Sequence, residues 1–260
     1  MAVVSNNNNQ FFSIDILSGT INWKQDFSSE LRPTIISNYL ITISDNGLLV
    51  IMNKDSGQII RINDLFKNIK EKRKKDFQPV GFLVGKFYIY VSTNNGRIYH
   101  SIDRGNNWTV YQSPISDFGS AEVNGNLSFA DPQNGVIIDN SGNVYRSTNA
   151  GASWTQISTT GPVYTSGLCF IEGTNTIFST GGGSSFSNDG GYSWNPIDTT
   201  THLYVDFHDE NIGWSGGWTQ ETGFITVGGV WKWEDFSLDI DEIIDLNELI
   251  KVLVAVHFYP

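Results

Sequence analysis

Three copies of one eight-residue frame combine residue types that can do chemistry: a serine, an acid or amide, a glycine and a tryptophan. The copies read SIDRGNNW at 101–108, STNAGASW at 147–154 and SNDGGYSW at 187–194. Such a set could provide a nucleophile with a carboxylate, oxygen ligands for a hard cation, or side chains that cap a tight turn. The differences between the copies distinguish these uses.

One replacement favours the structural use. Asn149 occupies the third position of the middle copy, where Asp103 and Asp189 stand in the other two. That exchange removes the charge that a catalytic acid or a hard-metal ligand needs, whereas an amide oxygen still accepts backbone hydrogen bonds. The glycine permits a positive φ, and the tryptophan covers the fold with a large apolar face. We therefore interpret the frame as a structural turn, formed by Ser101, Asp103, Gly105, Trp108, Ser147, Asn149, Gly151, Trp154, Ser187, Asp189, Gly191 and Trp194.

The remaining candidates for chemistry predict neither a reaction nor a bound metal. Cys169 lies in the apolar run GLCFIEG, where a buried small side chain is expected, and a single cysteine excludes an intramolecular disulfide. The histidines show no metal-ligand spacing beyond the pair His202 and His208, and no Ser/His/Asp grouping stands out. We expect no metal, no cofactor and no catalytic residue, although plentiful acids leave a two-carboxylate glycosidase open.

The composition is typical of many short strands joined by tight turns. Charged residues make up 17% of the 260 residues, aromatic residues make up 13%, and 26 residues are glycine. The net charge of −11 argues against nucleic acid as a partner, because phosphate contacts need a basic surface. No stretch reaches the length of a membrane span, and the first ten residues lack the basic and apolar regions of a signal peptide.

Charge is concentrated in two segments. Residues 67–75 hold six of the sixteen Lys and Arg, and residues 234–248 hold seven of the twenty-seven acids. Residues 62–76 predict a basic helical or loop excursion with Asn63 or Asp64 as its N-cap. Both segments could be solvated surfaces, or the basic one could dock onto an acidic partner. The candidate docking patch comprises Lys70, Lys72, Arg73, Lys74 and Lys75.

The chain is built from repeats of roughly forty residues. The frame recurs at intervals of 46 and 40, and three phenylalanines of a preceding phrase, Phe129, Phe170 and Phe207, lie 41 and 37 residues apart. Near the N-terminus, SIDILSGTINW (13–23) is echoed by IMNKDSGQIIRI (51–62) at an interval of 38. Repeats of this length with several short, β-branched strands per unit are typical of β-propeller blades.

We predict a single all-β domain over 1–260, a β-propeller of about six four-stranded blades. The first blade has room for three strands, and 236–260 predicts an acidic connector that leads into an apolar strand. We expect that strand, 249–258, to complete the first blade and close the ring, with a disordered or helical tail as the alternative. The predicted blades span 1–30, 31–62, 78–114, 115–160, 161–198 and 199–235.

The eight-residue frame resembles the Asp-box, the S-x-D-x-G-x-x-W (BNR) repeat of sialidases and related β-propellers. With the preceding F-x-D-x-x-x-G phrase and the pair Gly213-Trp214, residues 85–235 look more like blades of the photosystem II assembly/stability factor family. Secreted bacterial proteins share such repeats. The resemblance implies boxes at the propeller rim, away from the central funnel where ligands bind, and a secreted or periplasmic protein.

Residues 10–62 resemble quinoprotein-type propeller repeats instead. The pattern D-x-x-S/T-G-x-x-x-W runs from Asp15 to Trp23, and Arg61 replaces the tryptophan in the second copy. Non-enzymatic outer-membrane assembly lipoproteins use such blades as well. Two propeller types in one chain suggest a ring assembled, naturally or by engineering, from blades of different ancestry.

The enzymes of these families need residues that this sequence lacks. A sialidase needs three converging arginines and a Tyr–Glu pair, and none of the six arginines here lies in the expected phrase. A quinoprotein dehydrogenase needs more blades, calcium ligands and usually a vicinal disulfide, whereas only one cysteine is present. We expect neither activity.

The sequence therefore predicts a non-catalytic propeller that binds a protein or another macromolecule through its loops. Its candidate binding surface is aromatic, and exposed rings there would suit a protein hot spot or a sugar, although they could also pack between blades. A protein partner is favoured and a monomer is expected, with a carbohydrate-binding or glycoside-hydrolase-like propeller as the alternative. The candidate surface comprises Tyr204, Trp214, Trp218, Trp231 and Trp233.

Overall fold

The chain forms six antiparallel β-sheets that follow one another along the sequence, five with four strands and one with three. Within each sheet the strands pair in the order in which they occur in the chain, so every sheet is a meander. The computed structural model describes residues 1–6, 8–85, 88–118, 125–221, 225–234 and 240–242.

The sheets have the following strands, with one short helix, α1 (Glu71–Lys74), between the second and the third. The first three sheets contain β1 (Ala2–Asn6), β2 (Gln10–Ile14) and β3 (Ile21–Gln25); β4 (Thr34–Ile36), β5 (Tyr39–Ile43), β6 (Leu48–Asn53) and β7 (Ile59–Asp64); and β8 (Pro79–Val84), β9 (Ile89–Thr93), β10 (Arg97–Ser101) and β11 (Thr109–Gln112). The last three contain β12 (Gly125–Phe129), β13 (Gly135–Asp139), β14 (Val144–Ser147) and β15 (Thr155–Ile157); β16 (Gly167–Phe170), β17 (Ile177–Thr180), β18 (Ser184–Ser187) and β19 (Asn195–Asp198); and β20 (Tyr204–Phe207), β21 (Ile212–Glu221), β22 (Ile225–Glu234) and β23 (Ile240–Glu242).

Two compact units divide the described residues: unit 1 lies within 1–110 and unit 2 within 111–242. In unit 1 the two middle strands of the sheet β4–β7, β5 and β6, are buried on both faces. Leu40 packs with Trp23 of β3 on one side, whereas Ile41 packs with Ile89 of β9 on the other. Because successive side chains of a strand point to opposite faces, a strand covered on both sides has a continuous apolar run, here YLITI.

The core of unit 2 is built in the same way. Val136 and Ile138 of β13 are fully buried and pack with Phe170 of β16 and Trp194. Phe178 of β17 belongs to a second cluster on the opposite face of its sheet. Apolar packing between successive sheets therefore positions the turns of the repeated frame.

The two similar segments of unit 1, 13–23 and 51–62, each form the same kind of turn between paired strands. Asp15 Oδ1 accepts a hydrogen bond from the N–H of Ser18 (2.8 Å), and Asn53 Oδ1 accepts one from the N–H of Ser56 (2.9 Å). The glycine that follows each serine has a φ of 71° in the first turn and 70° in the second. An acid and an amide are equivalent here, because only an acceptor oxygen is needed.

The outermost strand of the first sheet docks on the turn of the second. Trp23 Nε1 on β3 donates to the carbonyl oxygen of Lys54 (2.8 Å), and Gln25 Nε2 donates to the carbonyl oxygen of Gly57 (2.7 Å). These bonds satisfy carbonyl groups of a tight turn that has no strand partner.

Arg61 and Asn63 on β7 repeat this arrangement thirty-eight residues later. Arg61 donates from Nη2 to the carbonyl oxygen of Arg104, and Asn63 donates from Nδ2 to the carbonyl oxygen of Gly105. Arg61 thus makes the same kind of contact as Trp23, with a guanidinium N–H as the donor in place of an indole N–H. The turn that Arg61 and Asn63 contact belongs to the eight-residue frame 101–108. The quinoprotein-type repeat and the Asp-box repeat are therefore contacted by the preceding sheet in the same way.

Among the described residues, the first sheet has no strand equivalent to β4, the first strand of the second sheet. Strands β1–β3 match β5–β7 in turn and docking contacts, so the strand without a counterpart is the one equivalent to β4, and β1 lies at the edge of the described sheet. The segment 249–258 that we expect in that place lies outside the described residues, and its pairing stays a prediction.

The basic excursion contains less helix than its sequence suggests. Only the single turn of α1 is helical within 62–76, and Lys70 stands at its N-cap without a side-chain cap. Asp64, an expected cap, instead accepts a hydrogen bond from the N–H of Phe66 (2.7 Å) in a turn. Burial of Phe66 in the core of unit 1 competes with an earlier helix start.

The last described strand corrects the predicted end of the sixth blade. Its outer strand β23 begins at Ile240, beyond the predicted boundary at 235 and within the segment expected to be an acidic connector. Pairing of Trp231 with Glu242 and of Trp233 with Ile240 places this short acidic segment on the sheet edge. The remainder of the connector lies outside the described residues.

Candidate functional site

The first-position serine of each frame closes the turn. Its Oγ accepts a hydrogen bond from the backbone N–H of the fifth-position glycine and donates one to the third-position side chain. The serine hydroxyl is therefore used as both donor and acceptor, and it is buried. The N–H to Oγ distances are 2.8 Å for Gly105–Ser101, 2.9 Å for Gly151–Ser147 and 2.9 Å for Gly191–Ser187.

The third-position side chain caps the same turn whether or not it is charged. Oδ1 of Asp103, Asn149 and Asp189 accepts a hydrogen bond from the backbone N–H of the seventh residue, at 2.9 Å in each copy. Asn149 also donates from Nδ2 to the hydroxyl of Ser153 (2.8 Å). The equal geometry of amide and carboxylate supports the interpretation of the frame as a turn.

The fourth and fifth positions of each frame are both left-handed. Arg104 and Gly105 have φ values of 59° and 82°, and Ala150 and the glycine after it have values of 61° and 81°. Two consecutive positive φ angles turn the backbone sharply within the connection between the two strands. The fifth position requires glycine sterically in the first copy, because a Cβ on Gly105 would overlap the side chain of Leu49.

Hydrogen bonds hold the two frame aspartates in the ionised form. The backbone N–H and side-chain amide of Asn107 lower the pKa of Asp103 to about 2. Partial burial raises the pKa of Asp189, but hydrogen bonds from Ser193, Ser187 and the N–H of Tyr192 outweigh it and lower the pKa to about 2. Neither acid is suited to donate a proton near neutral pH, as a general acid must.

Because these pKa values are low, the folded protein should lose stability in acid. Replacing the aspartate with asparagine should reduce that loss. An aspartate has a pKa of about 3.9 in an unfolded chain, so the stabilisation by Asp189 is fully present above about pH 4 and is lost as the pH falls through about 2. We expect Asp189→Asn to match the wild type at pH 7, since its Nδ2 can donate to Ser193 as Asn149 donates to Ser153, and to lose less stability between pH 4 and 2.

Urea unfolding from pH 2 to pH 7 checks this prediction, with Asp189→Ala as the matched variant. The alanine leaves the turn N–H groups without their acceptor, which should cost about 1 kcal/mol at pH 7. Equal destabilisation of the asparagine and alanine variants at pH 7 would show that the charge itself, and not the acceptor oxygen, stabilises the turn.

The tryptophans of the frame differ in burial. Trp194 is 3% exposed and donates from Nε1 to the carbonyl oxygen of Gly191 (2.9 Å), and half-buried Trp154 makes the same bond to Gly151 (3.0 Å). Nε1 of Trp108 has no hydrogen-bond partner among the described residues. The Gly105 carbonyl, its equivalent acceptor, is instead engaged by Asn63 of the neighbouring sheet.

A Ser–His–Asp arrangement that the sequence did not reveal lies in unit 2. Ser215 Oγ lies 2.8 Å from His202 Nδ1, and His202 Nε2 lies 3.1 Å from an Asp198 carboxylate oxygen. His202 is fully buried and Ser215 is 2% exposed. Trp233 Nε1 also donates to Ser215 Oγ (3.0 Å), which fits a buried structural network in which every group is paired.

Two residues of the candidate aromatic surface are buried, in line with the alternative that these rings pack between blades, and one is exposed. Trp214 and Trp233 are each 8% exposed, and Trp231 is half-buried with its ring centroid 4.5 Å from that of His202. Lys232 Nζ lies 5.6 Å from the centre of the Trp214 ring. Tyr204 is 71% exposed, and the side chain of Trp218 lies outside the described residues.

The candidate basic patch is mostly exposed. Lys70, Lys72, Arg73 and Lys75 face solvent, whereas Lys74 Nζ pairs with Asp64 (2.8 Å) and Glu71 (3.0 Å). The hydrogen bonds that Lys74 Nζ donates to Asp64 and Glu71 raise the pKa of Lys74.

The described part of the chain has no group of three or more His, Cys, Asp or Glu placed to hold a metal ion. Nor does any helix within it have the length and apolar character needed to cross a bilayer.

Comparison with solved structures shows the fold of β-propellers. BamB from Moraxella catarrhalis is similar with a TM-score of 0.55 and 13% identity, over 90% of this chain and 66% of that one. YCF48 from Cyanidioschyzon merolae has a TM-score of 0.51 and 16% identity, over 79% of this chain and 68% of that one. The structure of U3-55K has a TM-score of 0.59 and 10% identity, over 94% of this chain and 77% of that one.

The predicted fold class is thus confirmed: the chain is an all-β, six-bladed β-propeller. It spans about two thirds of the length of the Moraxella protein. No protein-family model matches the sequence, and no curated protein matches it.

Proposed function

We propose that this chain is a non-catalytic β-propeller that binds another protein, with the Asp-box turns as structural elements. The observation that carries this proposal is that the groups best suited to chemistry already have structural partners. The serine and the third-position aspartate or asparagine of each frame bond to each other and to N–H groups of their own turn. Ser215 and His202 are sealed in the interior, where no substrate reaches the serine hydroxyl.

Acids outside the frame are used in the same way. Asp131 Oδ1 accepts hydrogen bonds from the N–H groups of Gln133 (2.7 Å) and Asn134 (2.9 Å). Asp209 Oδ1 accepts bonds from Asn211 (2.8 Å) and Ile212 (3.0 Å). A carboxylate that caps two backbone N–H groups stabilises a turn, so these acids are poor candidates for the glycosidase pair that the sequence left open.

The burial of Trp214 and Trp233 weakens the glycan-binding alternative, since a sugar stacks on the exposed face of a ring. A rigid propeller that presents loops remains well suited to a protein partner. In keeping with the family resemblance, we place the protein in a secreted or periplasmic setting and expect a monomer.

Affinity capture followed by reconstitution tests the proposal. The immobilised folded protein should retain a specific protein from an extract of its source, and calorimetry with the purified partner should give saturable binding. A heat-unfolded sample serves as the control. Failure to retain any protein above that control, together with reproducible binding on a glycan array, would contradict protein binding.

A fluorophosphonate probe tests the absence of serine chemistry directly. We expect no labelling of the folded protein, because Ser215 is buried and its oxygen accepts the indole N–H of Trp233. Labelling that is abolished by Ser215→Ala would overturn the non-catalytic assignment.

A further inference from the structure

A set of exposed cations in unit 1 forms no close ion pair with the described part of the chain. The acid of the basic run, Glu71, and the neighbouring Asp64 both pair with Lys74. No ion pair joins the other cations of the run to a described residue. These exposed cations are Lys67, Lys70, Lys72, Arg73 and Lys75.

The fold adds a sixth cation from a distant part of the sequence. Arg97, the first residue of β10, is exposed, and its Cζ lies 5.4 Å from the centre of the Phe77 ring. The Cζ of Arg73 lies 5.9 Å from the centre of the same ring. Both guanidinium groups therefore lie beside one aromatic side chain, where each can donate N–H hydrogen bonds to an anion. We call the five cations above together with Arg97 the cationic platform.

The cationic platform is fixed to the blade core. Leu65, Phe66 and Phe77 are 5%, 1% and 7% exposed and pack in the core of unit 1. The N–H of Leu65 donates to the carbonyl oxygen of Gly47 (3.0 Å), and the N–H of Phe77 donates to that of Lys74 (3.0 Å). Anchoring at both ends lowers the conformational entropy that a partner must remove on binding.

We propose that the cationic platform docks an acidic, extended segment of a partner protein, with Arg73 and Arg97 both contacting its carboxylates beside Phe77. This inference rests on the proposed protein-binding function. A guanidinium group offers paired N–H donors that match a carboxylate. The guanidinium groups of Arg73 and Arg97 beside Phe77 are therefore the part of the platform best suited to bind carboxylates.

The charge of the remaining chain favours a short acidic segment over an extended polyanion. Outside residues 67–75 the sequence has ten Lys and Arg against twenty-six acids. A nucleic acid or an anionic membrane extends well beyond the Debye length of about 8 Å and would meet that acidic surface, whereas a short peptide can stay within the platform.

Fluorescence anisotropy with a labelled octa-glutamate peptide tests the site, with an octa-glutamine peptide as the control probe. We expect binding that weakens with added salt, and a roughly three- to ten-fold loss for Arg73→Gln and for Arg97→Gln alike. Lys24→Gln, at an exposed position of β3, is the matched charge control and should leave binding unchanged.

The response of Arg97 distinguishes a joint site from a solvated charge run, because Arg97 lies outside that run. Unchanged binding in Arg97→Gln, with a thermal midpoint equal to that of the wild type, would overturn the proposal. Tighter binding of a short DNA duplex or of phosphatidylserine vesicles than of the peptide would also overturn it.

The captured partner separates failure of this inference from failure of the proposed function. Loss of capture by the Arg73→Gln/Arg97→Gln variant, with wild-type stability, is the expected result. Full capture by that variant would refute docking at the platform and leave protein binding intact. If the wild type captures nothing, protein binding fails, while the anisotropy comparison still decides the chemistry of the platform.

Discussion

Gly161→Ala is expected to destabilise unit 2 by about 3 kcal/mol or more. Gly161 has a φ of 81°, and a Cβ at this position would overlap the backbone carbonyl of Trp194. Neighbouring Thr160 accepts a hydrogen bond from the N–H of Trp194 (2.8 Å) and donates its own N–H to the carbonyl oxygen of Tyr192 (3.0 Å). The backbone cannot move away without breaking the bonds that fix the third frame, so the clash cannot be relieved locally.

Gly142→Ala is the matched control for this prediction. Gly142 has a φ of 82°, yet a Cβ there would have no atom within 4 Å. Its variant should therefore show only the cost of a left-handed alanine, about 1 kcal/mol. Urea unfolding of the two variants separates backbone strain from steric overlap. Similar losses at both positions would show that the contact with Trp194 has no special role.

The propeller fold could be predicted from local signals that repeat. A spacing of roughly forty residues, short β-branched runs and Asn/Gly turns all belong to single blades, so no long-range contact had to be known. The exchange of Asp103 for Asn149 between copies likewise indicated an acceptor oxygen, and both residues accept the same bond at 2.9 Å.

The contacts between blades could not be predicted from those signals. In the sequence, Arg61 only departs from the tryptophan of the repeat. In the structure it donates a hydrogen bond to Arg104 in the next sheet, as Trp23 donates one to Lys54. Such an equivalence depends on hydrogen-bonding capacity, which a pattern of residue names does not encode. Packing of successive sheets sets these pairings.

Burial was the least predictable property of the candidate site. The sequence left open whether Trp214 and Trp233 are exposed or pack between blades, because a strand buried on both faces shows no alternation of apolar and polar residues; both are buried. Ser215 and His202 are thirteen residues apart in the sequence. The pairing of β20 with β21 and the path of the chain before β20 bring their side chains into contact. Arg97 reaches the basic run in the same non-local way, through its position at the start of β10.

Trp194→Ala is expected to cost about 3–5 kcal/mol of unfolding free energy. Trp194 is 3% exposed and lies in a cluster with Val136, Ile138 and Phe170, so its removal leaves a large apolar cavity in unit 2. Urea unfolding measures the loss. Trp154→Ala should cost clearly less, because Trp154 is only half-buried although it has the same position in its frame.

Phenylalanine at the same two positions separates the indole hydrogen bond from burial. Trp194→Phe and Trp154→Phe both remove the bond from Nε1 to the fifth-position carbonyl, which contributes about 1 kcal/mol. We expect Trp194→Phe and Trp154→Phe to lose similar unfolding free energies. The difference in unfolding free energy between Trp194→Ala and Trp154→Ala should be several times larger than that between the two phenylalanine variants. If the alanine variants lost equal amounts, the hydrogen-bonded turn would stabilise the repeat more than the packing of its tryptophan, and the covering role that we assign to the tryptophan would be wrong.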